Sequence, residues 1–259
     1  MSANGSSYDT ITLGDGAGDA VSAVGMGDMT GFGSYHATIP LGDGAGDTVA
    51  ADYGGENTIT LGNGAGDVVG DSSGGGGNNI TLGNGAGDTV FSGYSASSTI
   101  RVGNGATDSV LIEEGNGNTI TLGDGAGDTV TAVTQGSDKI TLGNGNGDVV
   151  TDASEYGSSG NTITVGNGND TIYVGTNDTV TVGTGHDSFI FEQSIGAVTI
   201  NHFNPSKDVI TLSSQFEATV SYQDNSQGNA VITVDTNGDK ITLVGVHAAA
   251  LHTSDFHFA

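Results

Sequence analysis

Residues 119–130 read Thr-Ile-Thr-Leu-Gly-Asp-Gly-Ala-Gly-Asp-Thr-Val, and close variants of this phrase return along most of the chain. Most successive copies are 20 or 21 residues apart. Repetition at such a period predicts a solenoid, in which each repeat forms one coil stacked on its neighbours. The first glycine of the phrase falls at Gly14, Gly42, Gly62, Gly83, Gly103, Gly123 and Gly143, and shorter forms begin at Gly166, Gly175 and Gly183.

A single repeat predicts the shape of a coil. The phrase begins with alternating polar and apolar residues, which predicts a short strand with Ile120 and Leu122 facing inward. The glycine-rich segment 123–127 predicts a tight turn. A second strand follows with Val130 inward, and a variable segment leads back to Ile140. Two strands and two turns per coil predict an all-β fold: a parallel β-roll, or two-sheet β-solenoid.

Each repeat ends in an aspartate at a fixed place, so stacked coils would stack carboxylates. Such a column is unstable unless a cation lies between its members. Ca²⁺ prefers carboxylate and main-chain carbonyl oxygens, and glycine-rich turns that end in aspartate supply both. An alternative is that these aspartates only hydrogen-bond turn amides or cap the next strand. The predicted ligands are Asp19, Asp47, Asp67, Asp88, Asp108, Asp128, Asp148, Asp170, Asp178 and Asp187.

Composition limits the classes of partner. The 259 residues include 30 acidic and only 4 basic ones, a net charge of −26, which excludes nucleic acid as a partner and predicts cation binding. There is no cysteine, hence no disulfide framework, and no apolar run long enough for a transmembrane segment. Glycine is abundant, at 47 residues, while aromatic residues make up 6% of the chain, so a thin core of Ile, Leu and Val is expected.

The pattern divides the chain into three parts. Residues 1–9 form a short polar leader, 10–189 form the β-roll, with a longer excursion at 21–39, and 190–259 form a β-rich capping region. After Asp187 aromatic residues replace valine, and residues 231–244 predict a hairpin around an Asn-Gly loop. The capping region is expected to close the end of the roll.

The shorter motif carries a resemblance. Gly166-Asn-Gly-Asn-Asp170-Thr-Ile-Tyr-Val174 resembles the calcium-binding nonapeptide of the RTX, or haemolysin-type, family. The resemblance implies several Ca²⁺ ions between same-edge turns, with Gly166 and Gly168 supplying main-chain ligands beside Asp170. The main repeat has one residue more than this motif, and Thr107 replaces the glycine before Asp108.

The C-terminal part also resembles RTX proteins. Residues 187–191, 203–212 and 231–258 are similar to the region that ends such arrays in proteins exported by type I secretion, which implies that machinery as a partner. The chain is therefore expected to be secreted, extracellular or at the cell surface, and to have a structural role in a matrix, surface layer or adhesion protein. Association with itself or with cell-surface and matrix components is a further expectation.

Two other functions stay open. The chain could be the C-terminal module of a larger exported enzyme or toxin, although it shows no zinc-protease or nucleophile-elbow motif and is itself expected not to be an enzyme. The six histidines lack zinc-like spacing. Outward Thr-x-Thr pairs also resemble the arrays of ice-binding solenoids, at Thr58 and Thr60, Thr119 and Thr121, Thr162 and Thr164, and Thr179 and Thr181.

Overall fold

The computed structural model is a parallel β-solenoid of two sheets, as predicted. The predicted leader and most of the excursion at 21–39 lie outside the described residues. The structure describes residues 10–22, 36–51, 55–71, 76–94, 97–133, 136–152, 160–192, 195–216, 220–235 and 238–259.

The chain alternates between the two sheets, so strands that are neighbours in space are two apart in sequence. Sheet A contains eleven strands: β1 (Ala20–Ser22), β3 (Thr48–Ala50), β5 (Val68–Asp71), β7 (Thr89–Gly93), β9 (Ser109–Glu113), β11 (Thr129–Val133), β13 (Val149–Asp152), β15 (Thr171–Tyr173), β17 (Ser188–Phe191), β19 (Val209–Leu212) and β23 (Phe256–Phe258).

Sheet B contains twelve strands, of which the last three in spatial order are β22, β21 and β20. Its strands are β2 (Thr38–Pro40), β4 (Thr58–Thr60), β6 (Asn79–Thr81), β8 (Thr99–Arg101), β10 (Thr119–Thr121), β12 (Lys139–Thr141), β14 (Thr162–Thr164), β16 (Thr179–Thr181), β18 (Ala197–Asn201), β20 (Ser221–Asp224), β21 (Ala230–Thr233) and β22 (Lys240–Val244). Single 3-10 turns lie at Ser214–Phe216, Ala248–Ala250 and Thr253–Asp255.

The core is a thin double layer between the sheets. Ile120 of sheet B pairs in register with Ile140, and Val130 of sheet A pairs with Val150. All four side chains are fully buried. The repeat length therefore keeps each inward residue above its counterpart in the previous coil, which is why the alternation in the phrase predicted the register.

The two edges of the roll differ. The first edge, which leads from sheet B to sheet A, contains the Gly-Asp/Asn-Gly-Ala-Gly-Asp turns. A side chain at Gly125 would overlap the carbonyl oxygen of Gly105 in the previous coil, so this position requires glycine. The residue before the aspartate is left-handed, with φ of 74° at Gly127, and Thr107 adopts φ of 63° at the same place. The second edge leads from sheet A back to sheet B.

Both sheets continue past residue 189, the predicted boundary of the cap, which falls inside β17. The strands β18, β19, β22 and β23 each pair in parallel with the strand before them in their sheet. The predicted hairpin is present as β21 and β22, and β20, which the sequence analysis missed, adds to it antiparallel. The ring of Phe189 packs 5.8 Å from that of Phe203, so the core runs into the cap without a break.

Candidate metal centre

The first edge holds a continuous column of aspartates, named here the aspartate column. The main-chain N–H of each aspartate donates to Oδ1 of the aspartate in the next coil, at 2.9–3.1 Å. From Asp47 onward every member is at most 3% exposed. The column runs through Asp19, Asp47, Asp67, Asp88, Asp108, Asp128, Asp148, Asp170, Asp187 and Asp208.

The second oxygen of most of these carboxylates has no hydrogen-bond donor. A buried oxygen without a partner costs about 1–3 kcal/mol, and more if it is charged. Asp208 ends the column differently, because its Oδ2 accepts the N–H of Asn204 at 2.7 Å. Within the aspartate column, the buried oxygens without a donor are the Oδ2 atoms of Asp47, Asp67, Asp88, Asp108, Asp128, Asp148, Asp170 and Asp187.

The electrostatics of the column favour a proton or a cation. Burial raises the pKa of Asp108 to about 6, and the carboxylates of Asp128 and Asp88 add to the rise. Burial likewise raises the pKa of Asp170 to about 7, with contributions from Asp148 and Asp187. Adjacent coils are about 4.8 Å apart, so two charges in neighbouring coils repel by on the order of 3 kcal/mol.

The space beside the free oxygens of Asp108, Asp128, Asp148 and Asp170 is lined by other oxygens. The position that a Cβ would take on Gly125 lies 2.8 Å from Oδ2 of Asp128 and overlaps the carbonyl oxygen of Gly105. Carboxylate and main-chain carbonyl oxygens of adjacent turns thus face the same point, which fits the ligand preference of Ca²⁺. Among the described residues no three His, Asp, Glu or Cys side chains form a group able to hold a metal. An ion here would therefore depend on main-chain oxygens as well.

Gly166 and Gly168 belong to a first-edge turn, as the resemblance implied. The N–H of Gly166 donates to the carbonyl of Gly143 at 2.9 Å, and its own carbonyl accepts from Gly183 at 3.0 Å. The carbonyl of Gly168 instead points at the α-carbon of Gly185, where a side chain would overlap it. Of the two, Gly168 has the carbonyl that faces the space beside the aspartates.

Asp178 does not lie in the aspartate column, and its predicted place there is wrong. It lies on the second edge, where its Oδ1 accepts the N–H of Asn161 at 2.9 Å. The spacing from Gly166 to Gly175 is only half of the local coil, so the Gly175 motif must fall on the opposite edge. Asp178 ends a separate series, named here the second-edge column: Asn57, Asn78, Ser98, Asn118, Asp138, Asn161 and Asp178.

The second-edge column makes the same hydrogen bond with mostly neutral residues. The N–H of Ser98 donates to Oδ1 of Asn118 at 3.0 Å, and that of Asn57 donates to Oδ1 of Asn78 at 2.9 Å. Amides and a hydroxyl therefore suffice to link one coil to the next in this fold. The first edge uses aspartate at every step, so each link there contains a carboxylate where the second edge mostly has a neutral group.

One pair of carboxyl groups is buried on the second edge. Asp152 accepts from Nδ2 of Asn161 at 2.7 Å, while Oδ2 of Asp178 accepts the N–H of Gly175 at 2.9 Å. Burial, and then the charge of Asp152, raises the pKa of Asp178 to about 8, and burial raises that of Asp152. The pair is therefore placed to share one proton at neutral pH.

An outer column lies on the exposed side of the same first-edge turns. Here the direction is reversed, because the N–H of Asn144 donates to Oδ1 of Asp124 in the previous coil at 2.8 Å. Nδ2 of Asn144 donates to the same oxygen, and the two bonds lower the pKa of Asp124. The series comprises Asp15, Asp43, Asn63, Asn84, Asn104, Asp124, Asn144 and Asn167, and ends at Thr184.

Sequence reasoning missed Asp208 and the second-edge column. Asp208 precedes Val209 and Ile210 much as Asp170 precedes Thr171 and Ile172, so the signal was present. The second-edge residues precede the strands of sheet B, where Asn118 comes directly before Thr119, but the variable loops before them hide the period.

The outward threonines lie in two columns on sheet B. The register pairs Thr119 with Thr99 and Thr162 with Thr179. The columns are interrupted by Pro40, Asn79, Arg101, Lys139 and Asn201.

Comparison with known proteins adds no assignment: no family model matches this chain, and no curated protein matches it at a significant level. Within the residues that the structure describes, no helix has the length and apolar character needed to cross a membrane.

Proposed function

We propose that this protein is a calcium-stabilised structural β-roll of the RTX type. The observation that carries the proposal is the contrast between the two edges. The same coil-to-coil hydrogen bond is made by largely neutral side chains on the second edge and by aspartates alone on the first. Eight of those aspartates keep a buried oxygen without a donor. A cation between successive first-edge turns would offset the negative charge of the column and be coordinated by the free oxygens.

The aspartate column and the glycine carbonyls of the first-edge turns would hold the ions. When bound, Ca²⁺ supplies positive charge that offsets the repulsion between stacked carboxylates. Asp108, Asp128 and Asp170 lie within the column and would each contribute Oδ2. Because the unfolded chain has no such column, ion binding favours the folded state.

Calcium-dependent folding would suit a protein that leaves the cell. Extracellular modules bind Ca²⁺ with dissociation constants of about 0.1–1 mM, so a chain with such sites folds where calcium is abundant. Secretion through a type I system, a place outside the cell or on its surface, and a structural rather than enzymatic role belong to this proposal. A module of a larger exported protein has the same calcium chemistry. The interrupted threonine columns of sheet B are a weaker basis for ice binding.

Circular dichroism and sedimentation test the proposal on the whole chain. With chelator the protein should be expanded and poor in β-structure, and millimolar Ca²⁺ should restore a compact β spectrum. Mg²⁺ at the same concentration is the control, because it requires a tighter octahedral site and releases its water reluctantly. Identical compact spectra with chelator and with Ca²⁺ would overturn the proposal.

A further inference from the structure

Most of the outer face of sheet A carries no charge, although the chain has a net charge of −26; Glu113, at the second-edge end of β9, is the exposed acidic residue of its strands from β5 to β19. Two outward positions of each strand from β5 to β19 form two columns that run along the roll. None of these residues is acidic or basic. The first column is Val68, Thr89, Ser109, Thr129, Val149, Thr171, Ser188 and Val209, and the second is Gly70, Phe91, Leu111, Thr131, Thr151, Tyr173, Ile190 and Thr211.

This face also carries exposed apolar side chains. Val68 is 39% exposed, and Phe91, Leu111, Tyr173 and Ile190 are partly exposed. The equivalent face of sheet B shows threonine, asparagine and two basic residues instead. An uncharged face with aligned apolar side chains is unusual on so acidic a surface and marks a place for contact with another surface.

The apolar residues of the second column lie at equal distances on both sides of the middle of the face. Starting between β11 and β13, the second column gives Thr131 and Thr151, then Leu111 and Tyr173. The next positions outward are Phe91 and Ile190, one on each side. The first column is less regular, because Thr129 corresponds to Val149, but it ends in Val68 on one side and Val209 on the other.

We infer that sheet A is the interface of a symmetric dimer with a second copy of this chain. A two-fold axis parallel to the strands, between β11 and β13, places each residue over its equivalent at the same distance on the other side. Leu111 then packs on Tyr173 of the second copy, and Phe91 packs on Ile190 of the second copy. Such self-complementary contacts are what a two-fold interface requires.

The charge distribution favours a second copy of this chain as the occupant, and it makes the association depend on salt or Ca²⁺. The two uncharged columns meet without carboxylates between them. Glu113 lies beside these columns toward the second edge, and the first edges of the two copies run along the same side. Their acidic side chains repel, so salt or Ca²⁺ should strengthen the dimer. Eight strands of three residues give roughly 400 Å² per copy, below the usual 800 Å². The dimer is therefore weak and concentration-dependent.

Crosslinking tests the arrangement, since the native chain has no cysteine. Thr89→Cys and Ser188→Cys proteins, mixed in Ca²⁺ with a short bis-maleimide, should crosslink with each other far more than either does alone, because the two-fold axis places these positions opposite each other and each about 24 Å from its own copy. The matched control is Thr121→Cys mixed with Thr141→Cys, which are register neighbours on sheet B. Equal crosslinking of the sheet B pair would overturn the inference.

Sedimentation velocity over a wide concentration range supplies the second readout. The native protein in Ca²⁺ should shift from monomer to dimer, and Leu111→Glu should raise the dissociation constant by about tenfold or more. Thr121→Glu, on sheet B, should leave it unchanged. A native protein that stays monomeric at every concentration, or a dimer indifferent to Leu111→Glu, contradicts the proposed interface.

Discussion

The two carboxylate oxygens of Asp128 have different surroundings and different roles in the column. Its Oδ1 accepts the N–H of Asp108 at 3.0 Å and so ties two coils together. Its Oδ2 has no donor and faces the carbonyl of Gly105. The hydrogen bond to Oδ1 needs only an acceptor, which asparagine also provides. The proposed cation binding through Oδ2 needs a negative charge.

Asp128→Asn separates the two tasks. Without calcium the variant should be as stable as the native protein or more so, because a buried charge is lost while the coil-to-coil bond stays. With millimolar Ca²⁺ it should lose about 1–3 kcal/mol of the calcium-induced stabilisation. The β-structure content in chelator, measured by circular dichroism, and urea unfolding in Ca²⁺ measure the two effects.

Asp124→Asn is the matched control for that experiment. Asp124 lies in the same turn but belongs to the exposed outer column, so its replacement should alter the calcium-induced stabilisation much less. An equal loss of calcium effect in both variants would argue against the aspartate column as the binding site.

Thr107 departs from the repeat, because it replaces the glycine that precedes the column aspartate in the neighbouring coils. Its φ of 63° is left-handed, where glycine occurs in the neighbouring coils and where a β-branched residue is strained. Thr107→Gly should therefore stabilise the protein by about 1 kcal/mol, after the greater freedom of glycine in the unfolded chain is counted. Thermal unfolding in Ca²⁺ measures this, with Gly127→Thr as the reverse change. A destabilised Thr107→Gly protein would show that the strain is absent.

At the scale of the element, the strands and their register followed from the sequence. Alternation placed Ile120 and Val130 inward because a strand has a period of two. The edge assignment of Asp178 failed because the shorter motifs at Gly166 and Gly175 look alike while lying half a coil apart. The sequence did not predict the direction of the hydrogen bonds in each column, because this direction depends on the three-dimensional positions of the turn N–H groups and the side-chain oxygens.

The column as a whole predicts how stability depends on pH when no metal is bound. The folded-state pKa is raised to about 6 at Asp108 and Asp187 and to about 7 at Asp170, above the usual value of 3.8. The folded state thus binds more protons than the unfolded state between these limits. Metal-free stability should be fullest below about pH 4 and should fall as pH rises through 6 and 7.

Calcium should remove that loss, because a bound cation keeps the carboxylates ionised. The folded fractions of desalted, metal-free protein and of calcium-loaded protein, measured by circular dichroism at several pH values from 5 to 8, give the comparison. The gap between the two should widen as pH rises. Metal-free stability that increases over this range would contradict the raised pKa values of the column.

At the scale of the whole molecule, the charged residues are distributed unevenly between the sheet faces and the edges. Sheet A presents two uncharged outward columns from β5 to β19, with Glu113 beside them. Sheet B presents mainly threonine, and carboxylates concentrate at the edges. The core passes from the repeats into the C-terminal strands without interruption, through Phe189 and Phe203. The molecule thus has one edge suited to cations and one flat face suited to a second copy.

Crystallography with calcium anomalous scattering tests the central claim most directly. Crystals grown in millimolar Ca²⁺ and measured at long wavelength should show a row of anomalous peaks along the first edge. Each peak should lie between successive turns, within about 2.6 Å of a column Oδ2 and of a glycine carbonyl oxygen. A well-ordered first edge without anomalous peaks, its Oδ2 atoms bonded only to water or to one another, would contradict the account.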